Sequence, residues 1–598
     1  MVGSTLDFTS AVSSRDGVAV VIGNFFDSWN IARQPWLSEI SEIRNYVFAT
    51  DTTSTSNKVL PWKNTTTIPK LCQIRDNLHA NYMAALFPHA DWLLWEGDDA
   101  AASSYEKRKV IQSYMENKTR QLKFRSFVSQ LIYDYIDYGN VFAGVEWAEE
   151  RYTDPLTSEV TTGFVGAKPY RISPLDIVFN PTAATFEDSP KIIRSLKTIG
   201  EFKQEVLANS TDEDAIKQFD YVMEEALGAR RSMAAMSAGD QMKANSFQVD
   251  GFGTLSEYYK SGYVEILTFF GNLYDVENDK MYPNSIITVI DRSFVVSIKQ
   301  LPLVKKEIIH VGWRLRPDNL YAMSPLANLV GMQYRIDHLE NLKADVFDLI
   351  AFPVFKIRGN VDDFEYAPNA RIFVGEEGDV EFMHPDTTAL NANNEISALE
   401  AKMEEMAGAP KQAMGVRTPG EKTAYEVQSL ENAANRIFMN KISYFEEMGL
   451  ESLLNLMLKR TRDNMSTSDL IRTLDSEIDV VTFTKVTKED LSAKGKLRPV
   501  GAAHFARRNN LVQNLTQLLS SSVGQDPAIN VHISGLKTAK LMEQLLDVEK
   551  FGLVSENIRI TENAATQRLI QSSQDQLEEE SITPAGINPS EEGDFNAE

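Results

Sequence analysis

Residues 321–353, YAMSPLANLVGMQYRIDHLENLKADVFDLIAFP, carry the strongest periodic pattern in the chain. Ser324 suits an N-cap, since its hydroxyl can accept from a first-turn N–H. Pro325 suits the first helical position, where a missing N–H goes unneeded. Leu329, Met332, Ile336, Leu339, Leu342, Val346 and Leu349 recur at steps of three and four, which puts them on one face of a helix running to about Ile350. Pro353 stops it. Upstream, Arg316-Pro317-Asp318-Asn319 reads as a turn. Downstream come three short β-like runs, Val354 to Ile357, Arg371 to Val374 and Val380 to Met383, separated by Gly359-Asn360, Pro368-Asn369 and Gly378-Asp379. A shorter helix fits Ile396 to Met406. Ala407 to Gly420 holds three glycines and two prolines and reads as a loop. A long amphipathic helix follows, from about Thr423 to Arg460.

Toward the N-terminus, residues 1–150 read as mainly helical, with patterns over Asn24 to Ala49, Ile68 to Phe87 and Phe124 to Phe142. Gly139-Asn140 makes a plausible C-cap for the last, and Val141 to Trp147 alternates as a strand. From 165 to 310 the signal is mixed. Asp176 to Phe179 reads as a strand, Glu201 to Val206 and Asp214 to Leu227 as helices, and Ala234 to Gly253 as a loop. Tyr263 to Tyr274, Ser285 to Asp291 and Phe294 to Lys299 read as strands, the last two forming a hairpin across Asp291 to Ser293. Toward the C-terminus, Ser466 to Leu491 mixes a short helix with a strand over Ile478 to Phe483. Residues 502–570 are helical in pattern. Asp575 to Glu598 holds eight acids and no Lys or Arg, a composition expected to stay disordered. The fold class expected is α+β, predominantly helical.

Composition narrows the function. With 598 residues, 43% of them hydrophobic, the chain can build a sizeable core over several subdomains. No run approaches ~18 apolar residues, so no membrane partner is expected. The N-terminal stretch to Ser14 lacks the basic region of a secretory signal. One cysteine, Cys72, excludes an internal disulfide and suits a reducing cytoplasm; it reads as a small buried hydrophobe. Sixty Lys and Arg against 84 Asp and Glu leave a net charge of −24. A protein that grips nucleic acid by its phosphates presents a basic face, so contact with DNA would be loose here.

The seven histidines are scattered, and no zinc-binding, phosphate-loop or nucleophile-elbow pattern occurs. Gly495-Lys496 lacks the upstream glycine of a phosphate loop. The neighbouring carboxylates Asp362 and Asp363, and Glu376 and Glu377, read as solvated surface rather than metal ligands. No catalytic residue, metal or cofactor is expected.

The order long helix, β excursion, returning helix, Gly/Pro loop and very long helix over 317–460 resembles the core of the portal proteins of tailed bacteriophages, most of all those of short-tailed phages. Asp318 to Pro325 (DNLYAMSP) and Arg417 to Val427 (RTPGEKTAYEV) carry the resemblance, with Asp134 to Trp147 (DYIDYGNVFAGVEW) as a further match. Ala322 departs from the glycine frequent there. The resemblance implies a ring of twelve copies at one capsid vertex in the virion, assembled in the bacterial host cytoplasm. The ring would conduct double-stranded DNA in packaging and ejection and would nucleate capsid assembly.

It implies a wing over 1–315 and 424–500, and stem helices over 316–352 and 389–406. A clip would span 353–388, a tunnel loop 407–423, a crown 501–574 and a tail 575–598. Implied partners are terminase, the major capsid and scaffolding proteins, and the head-tail adaptor and tail proteins. Carried onto this sequence, Lys411, Arg417 and Lys422 would face DNA from the tunnel loop, and Arg335, Lys343 and Lys402 could line the channel. Phe355, Phe364, Tyr366, Phe373 and Phe382 would anchor partners on the clip. The bland readings are solvated loop cations, helix ion pairs with Asp337, Asp345 and Glu405, and clip aromatics packed on one another or on neighbouring subunits. Trp92, Trp95, Tyr133, Tyr135 and Tyr138 read as core or subunit interface. The alternatives are another head-tail ring component, such as an adaptor or tail tube protein, and the packaging ATPase, which would need a phosphate loop.

Overall fold

In a computed structural model of the chain the described residues are 17–48, 63–87, 92–99, 102, 104–153, 160–198, 200–201, 263–275, 279–292, 294–300, 307–352, 354–359, 361, 371–383, 387–407, 440–465, 468–475, 480–501, 515–518 and 535–546. The chain divides into two units: Met1–Thr473 with Phe483–Ala503, and Leu474–Thr482 with His504–Glu598.

The first unit opens with helices α1 (Gly17–Ala32), α2 (Gln34–Phe48) and α3 (Lys70–Leu86), then strand β1 (Leu93–Gly97) and helices α4 (Tyr105–Gln121) and α5 (Phe124–Asp137). The single helix expected over Asn24 to Ala49 is broken beside Arg33. That buried guanidinium donates to the carbonyls of Pro174, Leu175 and Ile177 at 3.1, 2.7 and 2.7 Å, tying the break to the next layer. Gly139, at φ +68°, ends α5 as expected; a side chain there would collide with the Met323 backbone.

Next come β2 (Asn140–Thr153), β3 (Val160–Ile172), β4 (Ile177–Phe179), β5 (Lys191–Thr198), β6 (Tyr263–Asp275), β7 (Lys280–Ile290), β8 (Phe294–Gln300), β9 (Ile308–Gly312), β10 (Arg314–Arg316) and β11 (Asn319–Met323). Strands β4 to β8 form one antiparallel sheet in sequence order, and β3-β2-β9 another. The β7–β8 hairpin pairs Ile290 with Phe294, and the chain enters its turn with Asp291 and Arg292 both at positive φ. One side of α1 (Val18, Ile22, Phe26) packs on Leu267, Phe269, Ile287 and Val289 of the five-stranded sheet.

After a short 3-10 turn, Ala327–Leu329, helix α6 runs Val330–Ala351. Strands β12 (Val354–Arg358) and β13 (Asp379–Met383) form a hairpin, and helix α7 (Asn393–Ala407) returns. A π-helical turn, Glu446–Glu451, leads into α8 (Ser452–Asn464). Strands β14 (Ser468–Asp475) and β15 (Val480–Thr487) pair, the one-turn helix α9 (Lys488–Leu491) follows, and β16 (Gly495–Pro499) lies antiparallel to β1. Of the second unit, helix α10 (Gly535–Leu546) is its longest described element, with Leu536 and Leu541 exposed.

Among the described residues there are sixteen strands in six sheets, so the expectation of a predominantly helical chain is wrong. Strands β3 and β5 escaped notice because polar and charged residues interrupt their alternation, as in Lys191-Ile192-Ile193-Arg194-Ser195-Leu196-Lys197-Thr198. The stretch Ser466 to Leu491, expected to mix a short helix with one strand, holds the one-turn helix α9 and two strands, β14 and β15. Pro325 is not the first helical residue. Ser324 instead donates to the Ile136 carbonyl at 2.7 Å and accepts from the Leu326 N–H at 3.0 Å, which pins a turn ahead of the helix. Arg371 to Val374 contributes only a bridge between Val361 and Val374.

The larger of the two apolar clusters among the described residues is rich in aromatic residues. Tyr135 meets Phe445 at 4.9 Å, Trp313 at 5.1 Å and Tyr82 at 5.8 Å between ring centres. Trp92, Trp95 and Tyr138 are buried with them. Tyr133 is half-buried and lies under the Arg75 guanidinium. Cys72 is half-buried against this core.

Candidate functional site

The feature that departs most from ordinary core building is the excursion from α6 through β12 and β13 to α7. Its root is polar. The buried residues of α6 are Gln333, Ile336, Asp337, Leu339 and Asn341. Gln333, Asp337 and Asn341 follow one another at steps of four, so all three project from one helix stripe. That stripe holds the extended chain just before α3. The Asn341 carboxamide accepts from the Thr66 N–H at 2.9 Å and donates to the Thr66 carbonyl at 2.8 Å, a two-bond clasp on the backbone of one residue. Asp337 Oδ1 accepts from the Ile68 N–H at 3.2 Å. Gln333 accepts from the Leu71 N–H at 3.1 Å and donates to the Ile68 carbonyl and to Asp337 Oδ1. One turn outward, Asp345 accepts from the N–H groups of Lys63 and Asn64, both at 3.1 Å.

Burial pushes the Asp337 carboxyl up to about 7, against the pull of its hydrogen bonds from Ile68 and Gln333, and its Oδ2 has no partner among the described residues. From the other side, α7 buries Ile396, Met403 and Ala407, and Glu404 forms a buried ion pair with Lys70 at 2.7 Å. The expectations missed this ladder because they followed only apolar spacing. The readable signal was Gln333, Asp337, Asn341 and Asp345 at strict four-residue steps.

Beyond the root the excursion turns apolar and exposed. Of the expected apolar stripe, Leu329, Ile336 and Leu339 are buried, Leu342 and Val346 half-buried, and Leu349 exposed. Nine of the twenty large apolar side chains exposed among the described residues lie between Phe347 and Met383, including Phe352 at 77% and Phe373 at 67% exposure. The β12–β13 hairpin pairs Val354 with Met383, Phe355 with Phe382 and Ile357 with Val380. Val354, Ile357 and Met383 are exposed, Phe355 half-buried, and Lys356 pairs with Glu381 at 2.9 Å in the open. Gly359, at φ +76°, closes the hairpin, where a Cβ would fall 2.4 Å from the Glu377 carbonyl oxygen. Glu376 and Glu377 are exposed.

The expected charged residues divide. Arg335 is exposed and pairs with Glu395 at 3.2 Å. Lys343 is held by Glu340 at 2.9 Å and by the Asn393 side chain at 2.7 Å. Lys402 is exposed on α7. Among the described residues neither Asp337 nor Asp345 pairs with a cation; both accept backbone N–H groups instead. Lys411, Arg417, Lys422, Phe364, Tyr366, Asp362 and Asp363 lie outside the described residues, as do most of the expected long helix from Thr423, the helices over 201–227 and the loop 234–253.

Among the described residues no helix is long and apolar enough to cross a membrane, and no cluster of three His, Cys, Asp or Glu could hold a metal ion. No family model and no curated protein sequence matches the chain.

Proposed function

We propose that this chain is the ring-forming portal subunit of a tailed bacteriophage, which conducts double-stranded DNA and docks terminase and then the head-tail adaptor. One observation carries the reading. A helix leaves the body from a polar, register-locking root, an apolar two-stranded hairpin stands in the open, and a second helix returns. A lone two-stranded hairpin is marginal in water, and a dense group of exposed apolar side chains marks an interaction surface. Such a hairpin gains its stability from neighbouring copies or from a docked partner.

In this reading α6 and α7 are the stem helices, and the hairpin between them is the clip. The net charge of −24 per chain, repeated around a ring, repels phosphates and leaves DNA free to slide. The ring would sit at the portal vertex of the virion after assembly in the host cytoplasm, with capsid, scaffolding and tail proteins as further partners.

Mass photometry and negative-stain imaging of the purified protein, with and without scaffolding protein, test the proposal. A ring with a central channel is expected. Replacing Phe352 and Phe373 with Ser should leave the subunit folded and weaken ring formation or terminase binding at least about tenfold, because each exposed phenyl that becomes buried contributes roughly 1.5–3 kcal/mol. A wild-type protein that stays monomeric at micromolar concentration sinks the proposal.

A further inference from the structure

A cleft of about 850 Å³ opens on the body of the first unit, and none of its lining residues belongs to the excursion. It lies where the end of α3, the start of β1, the end of α4 and the start of α5 come together. Its rim carries Arg120, Lys123 and Arg125, all exposed, and Glu116 is the one carboxylate among the described lining residues. None of the three cations forms an ion pair with a described carboxylate; Arg125 lies over the Phe87 ring instead. In a chain where acids outnumber bases by 84 to 60, three uncompensated cations around one concavity are a local reversal of sign.

The floor is apolar. Trp92 stacks on Phe124 at 5.5 Å and meets Phe87 edge-on at 5.0 Å. Volume, an apolar floor and a few convergent polar groups are the ordinary attributes of a binding cleft.

We propose that this cleft binds a short acidic segment of a partner protein, its carboxylates on Arg120, Lys123 and Arg125 and one apolar side chain against the half-buried Met83 and Phe87. Charge complementarity carries the choice of occupant. Three cations suit a few carboxylates at close range, while the net charge of the whole chain opposes the approach of a long polyanion. Single-stranded nucleic acid fits less well. The rings of Trp92 and Phe124 are buried against each other, so they offer no free face on which a base could stack. The proposal does not depend on the portal reading, since it concerns a different surface and is tested on binding alone.

The test is fluorescence anisotropy on the full chain with a labelled short peptide of Asp and Glu around a central Phe. Comparison probes are the same peptide with Ser for Phe, its Lys counterpart, and a single-stranded oligonucleotide of equal charge. Saturable binding of the acidic peptide is expected, weakening several-fold between about 50 and 300 mM salt, with loss of affinity when Ser replaces Phe. The combined variant Arg120→Ala, Lys123→Asn, Arg125→Ala should bind at least about tenfold more weakly. Asn is chosen at Lys123 because that residue sits at φ +51°, which Asn tolerates. All three side chains are exposed, so the far-ultraviolet dichroism should not change. No saturable binding of the peptide, unaltered affinity in the variant, or tighter binding of the oligonucleotide than of the peptide each overturns the proposal.

Discussion

The five-stranded sheet and the root of the excursion bury opposite chemistry. The sheet and α1 bury aliphatic and phenyl side chains, Ile22 and Phe26 against Leu267, Phe269 and Ile287. The root of α6 buries two amides and a carboxyl, and its outer end leaves Phe347, Leu349, Ile350 and Phe352 in water. Apolar packing drives collapse but is lenient about register. An amide that closes two bonds on the N–H and carbonyl of one residue fits a single alignment, and a slip leaves buried polar groups unpaired. The sheet therefore supplies stability, whereas the root fixes the alignment of α6 on the chain before α3 and so the base from which the apolar hairpin leaves the body.

The hardest way to break this contrast is truncation on each side of it. Phe269→Ala, at a fully buried position, should cost about 3–5 kcal/mol in urea unfolding. Phe352→Ala, at 77% exposure, should stay within about 0.5 kcal/mol of the wild-type subunit. Equal losses would mean that the outer half of α6 is packed in solution and the contrast is false. Next in size, Asn341→Ala strips the partners from both the N–H and the carbonyl of Thr66 and should cost about 2–3 kcal/mol. Amide exchange at Thr66 should accelerate with it. A loss confined to exchange, with global stability unchanged, would show that the segment before α3 opens independently of the rest.

The contrast also explains what could be read in advance. The hairpin across Asp291 to Ser293, the termination of α5 at Gly139, the end of α6 before Pro353 and the course of α7 were legible, because each depends on local turn chemistry or on helical spacing. Strand β16 was not legible: its partner β1 lies some four hundred positions away, and neither strand alternates cleanly. The polar ladder was not recognised because Asp337 suggested only an ion pair with a helix cation, and Gln333 and Asn341 give no signal when only apolar positions are followed. Whether a polar stripe meets water or a backbone is decided by the tertiary partner, here Thr66 to Leu71. For the same reason helical spacing places the apolar stripe of α6 on one face as far as Leu349 without saying what covers it, and full burial of its apolar residues stops at Leu339.

A smaller effect sharpens the comparison through pH. The native Asp337 carboxyl keeps its proton up to about 7, whereas the same group in the unfolded chain releases it near 3.8. Between these values the native state binds more protons, so stability falls as pH rises. The contribution is complete below about 3.8 and is lost as pH passes 7. Asp337→Asn does not titrate, so wild type should lose about 1–2 kcal/mol relative to it between pH 5 and 8. Parallel stability curves for the two proteins would mean that water reaches the root and that the ladder is not a dry one.

The smallest effect separates structure from function on the outer face of the two helices. Arg335 and Glu395 are each about half exposed, and their 3.2 Å contact bridges α6 and α7. An exposed pair gains little, because water screens the attraction and two long side chains lose rotamer freedom. Arg335→Ala should therefore shift unfolding by no more than about 0.5 kcal/mol, far below the loss at Asn341, although both residues belong to the same helix. If the channel reading is right, the same variant should alter how DNA retention in assembled particles depends on salt, since a cation facing phosphates acts through a screened field. A stability loss above about 1.5 kcal/mol would make Arg335 a strut between the two helices. Salt dependence indistinguishable from wild type would remove it from the channel wall, and with both results in hand the two roles cannot be confused.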